Sequence, residues 1–193
     1  MGKRSDYERA PRDYYPTPLA AVNPLVPHLP AVPFVFSEPC AGDGRLITHI
    51  ESLTNGECTS AYDIEPLSTE LFGKRQVRIQ QMDARDLTKQ NIHNFTDKTL
   101  IITNPPWGRQ KKHDYILHTL IETFANIAPT WLLFDADWIH TIQSKEYVDK
   151  YLTKIVSIGR VKWIENSAGT GKDNCCWYEF RADKNGPTQF YGR

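Results

Sequence analysis

Three times between residues 34 and 108, this chain runs a short β-prone segment into an abrupt stop built from small, acidic or amide residues. Phe34-Val35-Phe36-Ser37-Glu38 ends in Pro39-Cys40-Ala41-Gly42-Asp43-Gly44. The segment Thr59–Ile64 carries Asp63 at its end, and Thr99-Leu100-Ile101-Ile102-Thr103 ends in Asn104-Pro105-Pro106-Trp107-Gly108. Segments with helical spacing alternate with these runs: Arg45–Ile50, a short helix expected at Pro66–Phe72, and helices near 113–127 and 144–152. Gln76–Gln80, which leads to Met82-Asp83, and Trp131–Phe134 read as further strands. Continuous apolar strands alternating with helices must be covered on both faces, which predicts an α/β fold around a mostly parallel sheet. Two final β-rich runs, Ile155–Ile164 and Asn174–Arg181, predict an antiparallel hairpin at its edge.

Size and composition narrow this further. At 193 residues, with 40% hydrophobic and 11% aromatic residues, the chain can bury one sizeable core, and residues 1–193 are expected to form a single domain. Residues 1–33 hold seven prolines (Pro11, Pro16, Pro18, Pro24, Pro27, Pro30 and Pro33), which predicts an extended arm with at most a short helix near 18–26. The 23 basic residues balance the 23 acidic ones, so no global field marks a polybasic binder of membranes or nucleic acid. No apolar run approaches the ~18 residues of a membrane span, and no apolar signal core opens the chain. A soluble, cytoplasmic protein with no membrane partner is expected. Cys40, Cys58, Cys175 and Cys176 lack metal-ligand spacing, so no metal is expected, and the adjacent pair reads as small buried residues.

In an open α/β sheet, ligands bind outside the carboxyl ends of the strands, so the residues after each run are the candidate site. Gly42 and Gly44 let backbone approach a ligand, and Asp63 and Asp83 follow the next two strands. The spacing from Gly42 to Asp63 suits an acidic residue that meets ribose hydroxyls. A G-x-G-x-x-G fingerprint fails because its third position is Ile47. A phosphate loop at Gly169-Thr170-Gly171-Lys172 fails because Asn166 and Asp173 replace required residues. Two carboxylates would repel a pyrophosphate but suit an adenosine carrying a positive sulfonium. Each aspartate taken singly could equally be a helix cap, and Trp131, Trp163 and Trp177 read as core or sheet-face residues.

The set Glu38–Gly44, Asp63, Asp83-Ala84 and Asn104-Pro105-Pro106-Trp107 resembles S-adenosylmethionine-dependent methyltransferases. More narrowly, it is similar to those that modify adenine N6 in DNA, including small phage-encoded members. Tyr14-Tyr15-Pro16-Thr17-Pro18 resembles that family's cofactor-contacting arm. The resemblance implies a Rossmann-like class I methyltransferase fold and an S-adenosylmethionine cofactor held by Tyr15, Thr17, Glu38, Pro39, Cys40, Ala41, Gly42, Gly44, Asp63, Ile64, Asp83, Ala84 and Asn104. It also implies a catalytic set of Asn104, Pro105, Pro106 and Trp107, with the indole stacking on an extruded base. Arg109, Lys111, Lys112 and Lys172 are candidates to bind DNA phosphates. No separate target-recognition domain is evident, so sequence preference would come from loops 108–113 and 164–174, the arm, or a partner. Two other readings remain: a methyltransferase acting on RNA adenine or a protein glutamine amide, and a non-catalytic scaffold that keeps the cofactor site.

Overall fold

A computed structural model of the chain describes residues 14–107, 116–164, 169–171 and 173–193. After the arm come a one-turn helix α1 (Leu19–Val22) and a 3-10 segment (Asn23–His28), whose Pro24 and Pro27 prevent a longer α-helix. Then follow β1 (Phe34–Glu38), α2 (Arg45–Leu53), β2 (Gly56–Asp63), β3 (Leu71–Phe72), β4 (Val77–Gln81) and β5 (Thr99–Thr103). The second half supplies α3 (Ile116–Ala125), β6 (Thr130–Asp135), α4 (Lys145–Tyr151), β7 (Leu152–Arg160), β8 (Asn174–Phe180) and β9 (Gln189–Tyr191).

The nine strands form one sheet in the order β3-β4-β2-β1-β5-β6-β8-β7-β9. The centre, β4-β2-β1-β5-β6, is parallel throughout. The C-terminal pair forms the expected antiparallel hairpin, with β8 inserted between β6 and β7. Beyond it β9 adds a short parallel strand that the sequence does not announce. The order of strand addition reverses at β1, from β2 and β4 on one side to β5 and β6 on the other, which opens a crevice at the carboxyl ends of β1 and β5.

The apolar runs serve both faces, as continuous strands in a covered sheet must. Leu100 and Ile102 of β5, Trp131 and Leu133 of β6, and Cys175 and Trp177 of β8 pack with α1 and α2. The alternate residues Ile101, Leu132, Phe134, Cys176, Tyr178 and Phe180 pack with α3 and α4. Cys175 and Cys176 therefore face opposite sides, and all four cysteines are free thiols. The Trp177 indole donates to the Ala21 carbonyl at 2.7 Å, which ties α1 to the sheet.

The helix expected at Pro66–Phe72 does not form. Leu67 N–H donates to the Gly42 carbonyl at 3.1 Å, and Glu70 N–H donates to the Ser68 hydroxyl at 3.1 Å. The Glu70 bond takes a donor that a helix from Pro66 would use, the Leu67 bond ties the start of the segment to the turn after β1, and Ser68 and Thr69 favour such local alternatives. Leu71 and Phe72 instead pair with β4 as a two-residue antiparallel strand.

Candidate functional site

The carboxyl ends of β1, β2, β4 and β5 and the arm residues Tyr14–Thr17 surround a cavity of about 730 Å3. The turn after β1 forms its floor. Ala41 N–H donates to the Tyr62 carbonyl at 2.8 Å, and Gly44 N–H closes back on the Ala41 carbonyl at 2.7 Å. Gly42 and Gly44 have φ of +52° and +78°, which side-chain-bearing residues rarely adopt. Aromatic rings cover both: a Cβ on Gly42 would stand 2.6 Å from the Tyr14 ring, and one on Gly44 2.6 Å from the Phe72 ring. The Tyr14 hydroxyl bonds Asp43, and burial first, then that carboxylate, raises its phenol well above the ordinary value.

Asp63 joins the turn to the end of β2. Its two oxygens accept the Gly42 and Glu65 N–H groups, each at 2.8 Å. A carboxylate has about four acceptor directions, so capacity remains for a ligand hydroxyl. Asp83 caps the 3-10 turn Ala84–Asp86, accepting the Arg85 N–H at 2.9 Å. Its hydrogen bonds from the Arg85 guanidinium hold the carboxyl below the usual carboxylate range. Both aspartates thus hold backbone in place while lining the cavity.

Charge is distributed one-sidedly. Glu38, Asp43, Asp63, Glu65 and Asp83 line the cavity, and no lysine, arginine or histidine is among its described lining residues, although Arg45 pairs with Asp43 at 3.4 Å and Arg85 with Asp83 at 2.5 Å from outside the wall. Glu38 is 2% exposed, and its Oε2 has no hydrogen-bond partner among the described residues. Burial, then the Asp43 and Asp63 carboxylates, pushes its pKa well above the usual value. Burial, then Asp63, also raises the Cys40 thiol, which makes it a poor nucleophile. A buried acid with an idle oxygen is costly unless a cationic or donor group meets it. Leu46, Ile64, Leu67, Ile116 and Leu120 give the same cavity apolar walls.

Asn104 stands where β5 gives out. Its Nδ2 donates to the Tyr15 carbonyl and the Thr17 hydroxyl, both at 3.2 Å. Its Oδ1 accepts the Trp107 indole N–H at 3.0 Å, and the same N–H reaches the Leu133 carbonyl at 2.9 Å. A backbone carbonyl can only accept and an indole N–H can only donate, so these neighbours fix which way the carboxamide points.

The structure brings together on the cavity wall Tyr15, Thr17, the Glu38–Gly42 stretch, Asp63, Ile64, Asp83, Ala84, Asn104 and Pro106. Gly44 shapes the turn without lining the wall. Pro105 is buried, and Trp107 is half-buried and bonded to Asn104 without being part of the wall. Arg109, Lys111, Lys112 and Lys172 lie outside the described residues. Sequence reasoning passed over Asp43, Glu65 and the apolar lining from α2 and α3. The acidic pair had a signal, since each lies within two residues of a residue already singled out. It also read Trp163 as a core or sheet-face residue. The half-buried ring does pack against the core, and it also meets Trp107 edge-on at 5.4 Å and Tyr15 at 6.5 Å, joining the last hairpin to the site.

A mostly parallel sheet in this order, with a reversed C-terminal hairpin and a crevice over the ends of its first strands, is the fold of class I S-adenosylmethionine-dependent methyltransferases. Solved structures agree in fold. A Pyrococcus horikoshii protein assigned as an RNA methyltransferase matches 93% of this chain and 91% of its own length, with a TM-score of 0.58 and 15% identity. A modification subunit assigned to a type I restriction enzyme of Vibrio vulnificus matches 93% of this chain at 14% identity with a TM-score of 0.57. This chain spans 47% of that subunit. A Listeria monocytogenes protein assigned as a class I S-adenosylmethionine-dependent methyltransferase matches 90% of this chain and 62% of its own at 10% identity, with a TM-score of 0.55. No protein-family model matches the sequence, and no curated protein matches it. Among the described residues no helix is long and apolar enough to cross a membrane, and no group of three or more His, Cys, Asp or Glu could hold a metal ion.

Proposed function

We propose that this protein transfers a methyl group from S-adenosylmethionine to the exocyclic N6 amino group of adenine in DNA. The observation that carries the reading is the pairing of a cavity lined by five carboxylates, two of them ion-paired with Arg45 and Arg85 off its wall, with an oriented carboxamide at its edge. A nucleotide pyrophosphate would be repelled there, whereas an adenosine bearing a sulfonium and an ammonium is attracted. The idle Glu38 Oε2 is a fitting partner for the ammonium, Asp63 for the ribose hydroxyls, and Asp83 for the adenine amino group. The apolar walls suit a purine. When bound, the cofactor supplies a methyl group activated by positive sulfur.

The chain's own residues act on the amine. An amino group conjugated to a purine is a poor nucleophile because its lone pair is delocalised. Asn104 Oδ1 and the Pro105 carbonyl are two acceptors for its two N–H hydrogens, and accepting both draws the nitrogen toward a tetrahedral form with a free lone pair. Proline at 105 has no N–H of its own, and Pro106 restricts it to an extended conformation. Holding the amine in line gives most of the acceleration. The modification subunit among the similar folds supports a DNA substrate and partner subunits that supply sequence specificity. The RNA methyltransferase assignment of another supports the second reading, adenine in RNA.

Tritiated-methyl transfer to DNA, RNA and protein, wild type against Asn104→Ala, tests the proposal. Label in adenine of DNA, lost in the variant with cofactor still bound, is the expected result. Label in RNA alone favours the second reading, and label in protein alone removes both.

A further inference from the structure

The indole N–H of Trp107 is shared between two acceptors, Asn104 Oδ1 just beyond β5 at 3.0 Å and Leu133 O within β6 at 2.9 Å. Leu133 lies in β6 and is fully buried, so its carbonyl is a fixed anchor. The ring is wedged against both core clusters and meets Trp163 at an interplanar angle of 87°. It is absent from the cavity wall, whereas Asn104 and Pro106 are on it. We infer that Trp107 is a positioning residue: its N–H fixes which end of the Asn104 carboxamide is the acceptor for the target amine, a task that its ring N–H performs whether or not its face also stacks on a base.

The inference rests on the proposed amine chemistry and deepens it. A carboxamide is nearly symmetric in shape, and a half-turn about its last bond exchanges acceptor and donor at the substrate. With the NH2 facing an amine that must lose a hydrogen, the site would repel its target. The Tyr15 carbonyl and Thr17 hydroxyl hold Nδ2 from the arm, and Trp107 holds Oδ1 from the other side. Of these three partners the Thr17 hydroxyl can serve either orientation, since it both donates and accepts. Trp107 and the Tyr15 carbonyl carry the discrimination. Oδ1 has two lone pairs, so one remains for the substrate after the indole takes the other. Tyrosine or phenylalanine at 107 would preserve an aromatic face but could not place a ring N–H on Oδ1.

Two measurements test this. In the free protein, the indole N–H signal of Trp107 is observed by nitrogen-15 NMR and identified by its loss in Trp107→Phe. Asn104→Asp, with a stronger acceptor, is expected to move it downfield, and Asn104→Leu, with none, upfield. A signal unmoved by both overturns the inference. The second measurement is methyl-transfer kinetics on adenine-containing DNA. Trp107→Phe is expected to lower kcat roughly 3- to 10-fold, the worth of one hydrogen bond, with KM for DNA within about twofold. Trp107→His, which restores a ring N–H, is expected to recover part of that loss. Wild-type kcat in Trp107→Phe, or a raised KM with kcat unchanged, overturns it in favour of stacking. If Trp107→Phe does not fold, the Asn104 variants decide. If the wild type methylates no nucleic acid, the proposed function falls, and the NMR result still judges the positioning role.

Discussion

Glu38→Gln keeps the shape of a buried side chain and removes its ability to carry charge, and its two expected effects run in opposite directions. In the free protein the folded-state pKa of Glu38 lies well above 4.5, chiefly through burial. A group raised on folding stabilises the protein below its unfolded pKa, and that contribution is lost as pH rises through the folded value. Wild type should therefore lose stability as pH climbs from about 4.5, whereas the glutamine variant has no such loss. Melting curves should coincide at acid pH and separate in favour of the variant at alkaline pH. Cofactor binding should show the reverse. A hydrogen bond between an ammonium and a carboxylate contributes about 1.5–3 kcal/mol, or roughly 10- to 150-fold in Kd. No lysine or arginine among the described lining residues competes for Glu38, so most of that loss should appear. Calorimetric titration with S-adenosylmethionine in buffers of different ionisation enthalpy reads both affinity and proton release. Wild-type binding should tighten with pH and release protons. The variant should bind more weakly, with a flatter profile. A Kd within twofold of wild type, with unchanged proton release, would refute the assignment of Glu38 to the ammonium.

Two further predictions concern the frame around the cavity. Gly44→Ala forces a side chain into φ +78° and to 2.6 Å from the Phe72 ring, which should cost about 1–2 kcal/mol and lower Tm by ~2–8 °C. Thermal melting with and without S-adenosylmethionine checks it, and an unchanged Tm would show that the turn can reform. Trp177→Phe leaves the Ala21 carbonyl without the indole donor that reaches it at 2.7 Å. Urea unfolding should show a loss of about 1–3 kcal/mol, and a smaller one would mean that α1 is held by packing alone.

The parts of the molecule that were legible in the sequence are those where one physical cause dominates. Thr99–Thr103 reads as a strand because five residues with buried side chains leave no polar face for any other element. The strand's end at Asn104 was legible because two prolines after a buried strand cannot continue it, and Asn104 and Pro106 do line the cavity. Pro66–Phe72 misleads because its local pattern is overruled from a distance, by the Gly42 carbonyl that captures the Leu67 N–H and by Gly44, which the Phe72 ring covers. Trp163 was legible in part. It packs against the core, as an aromatic residue in a β-rich run ordinarily does, but only the pairing of β7 with β8 shows that the residues after Arg160 emerge beside the site. The carboxylates fall between these cases. Asp63 and Asp83 were legible by position, but their work as acceptors for the Gly42 and Arg85 N–H groups depends on contacts that no spacing rule contains.

Strand direction also explains how one rim could serve two ligands of opposite charge. β8 runs antiparallel to β6, and β7 antiparallel to β8, so β7 points the same way as β6. Arg160 at its end and the exposed Lys162 beyond it therefore emerge at the rim where Asn104 stands, next to Trp163. The five carboxylates lie on the other side of Asn104, along the ends of β1, β2 and β4. Asp135 at the end of β6 and Asp173 just before β8 share the first side of the rim with Arg160 and Lys162, so its charge is mixed where the cavity's is acidic. Under the proposed function, the cationic cofactor is drawn to the acidic side and the polyanionic substrate approaches over the mixed one. Salt would act unequally on the two, because exposed charges are screened beyond about 10 Å at ordinary ionic strength and buried ones far less. Asn104 stands between them, with its Nδ2 bonded toward the arm and its Oδ1 toward the tryptophans.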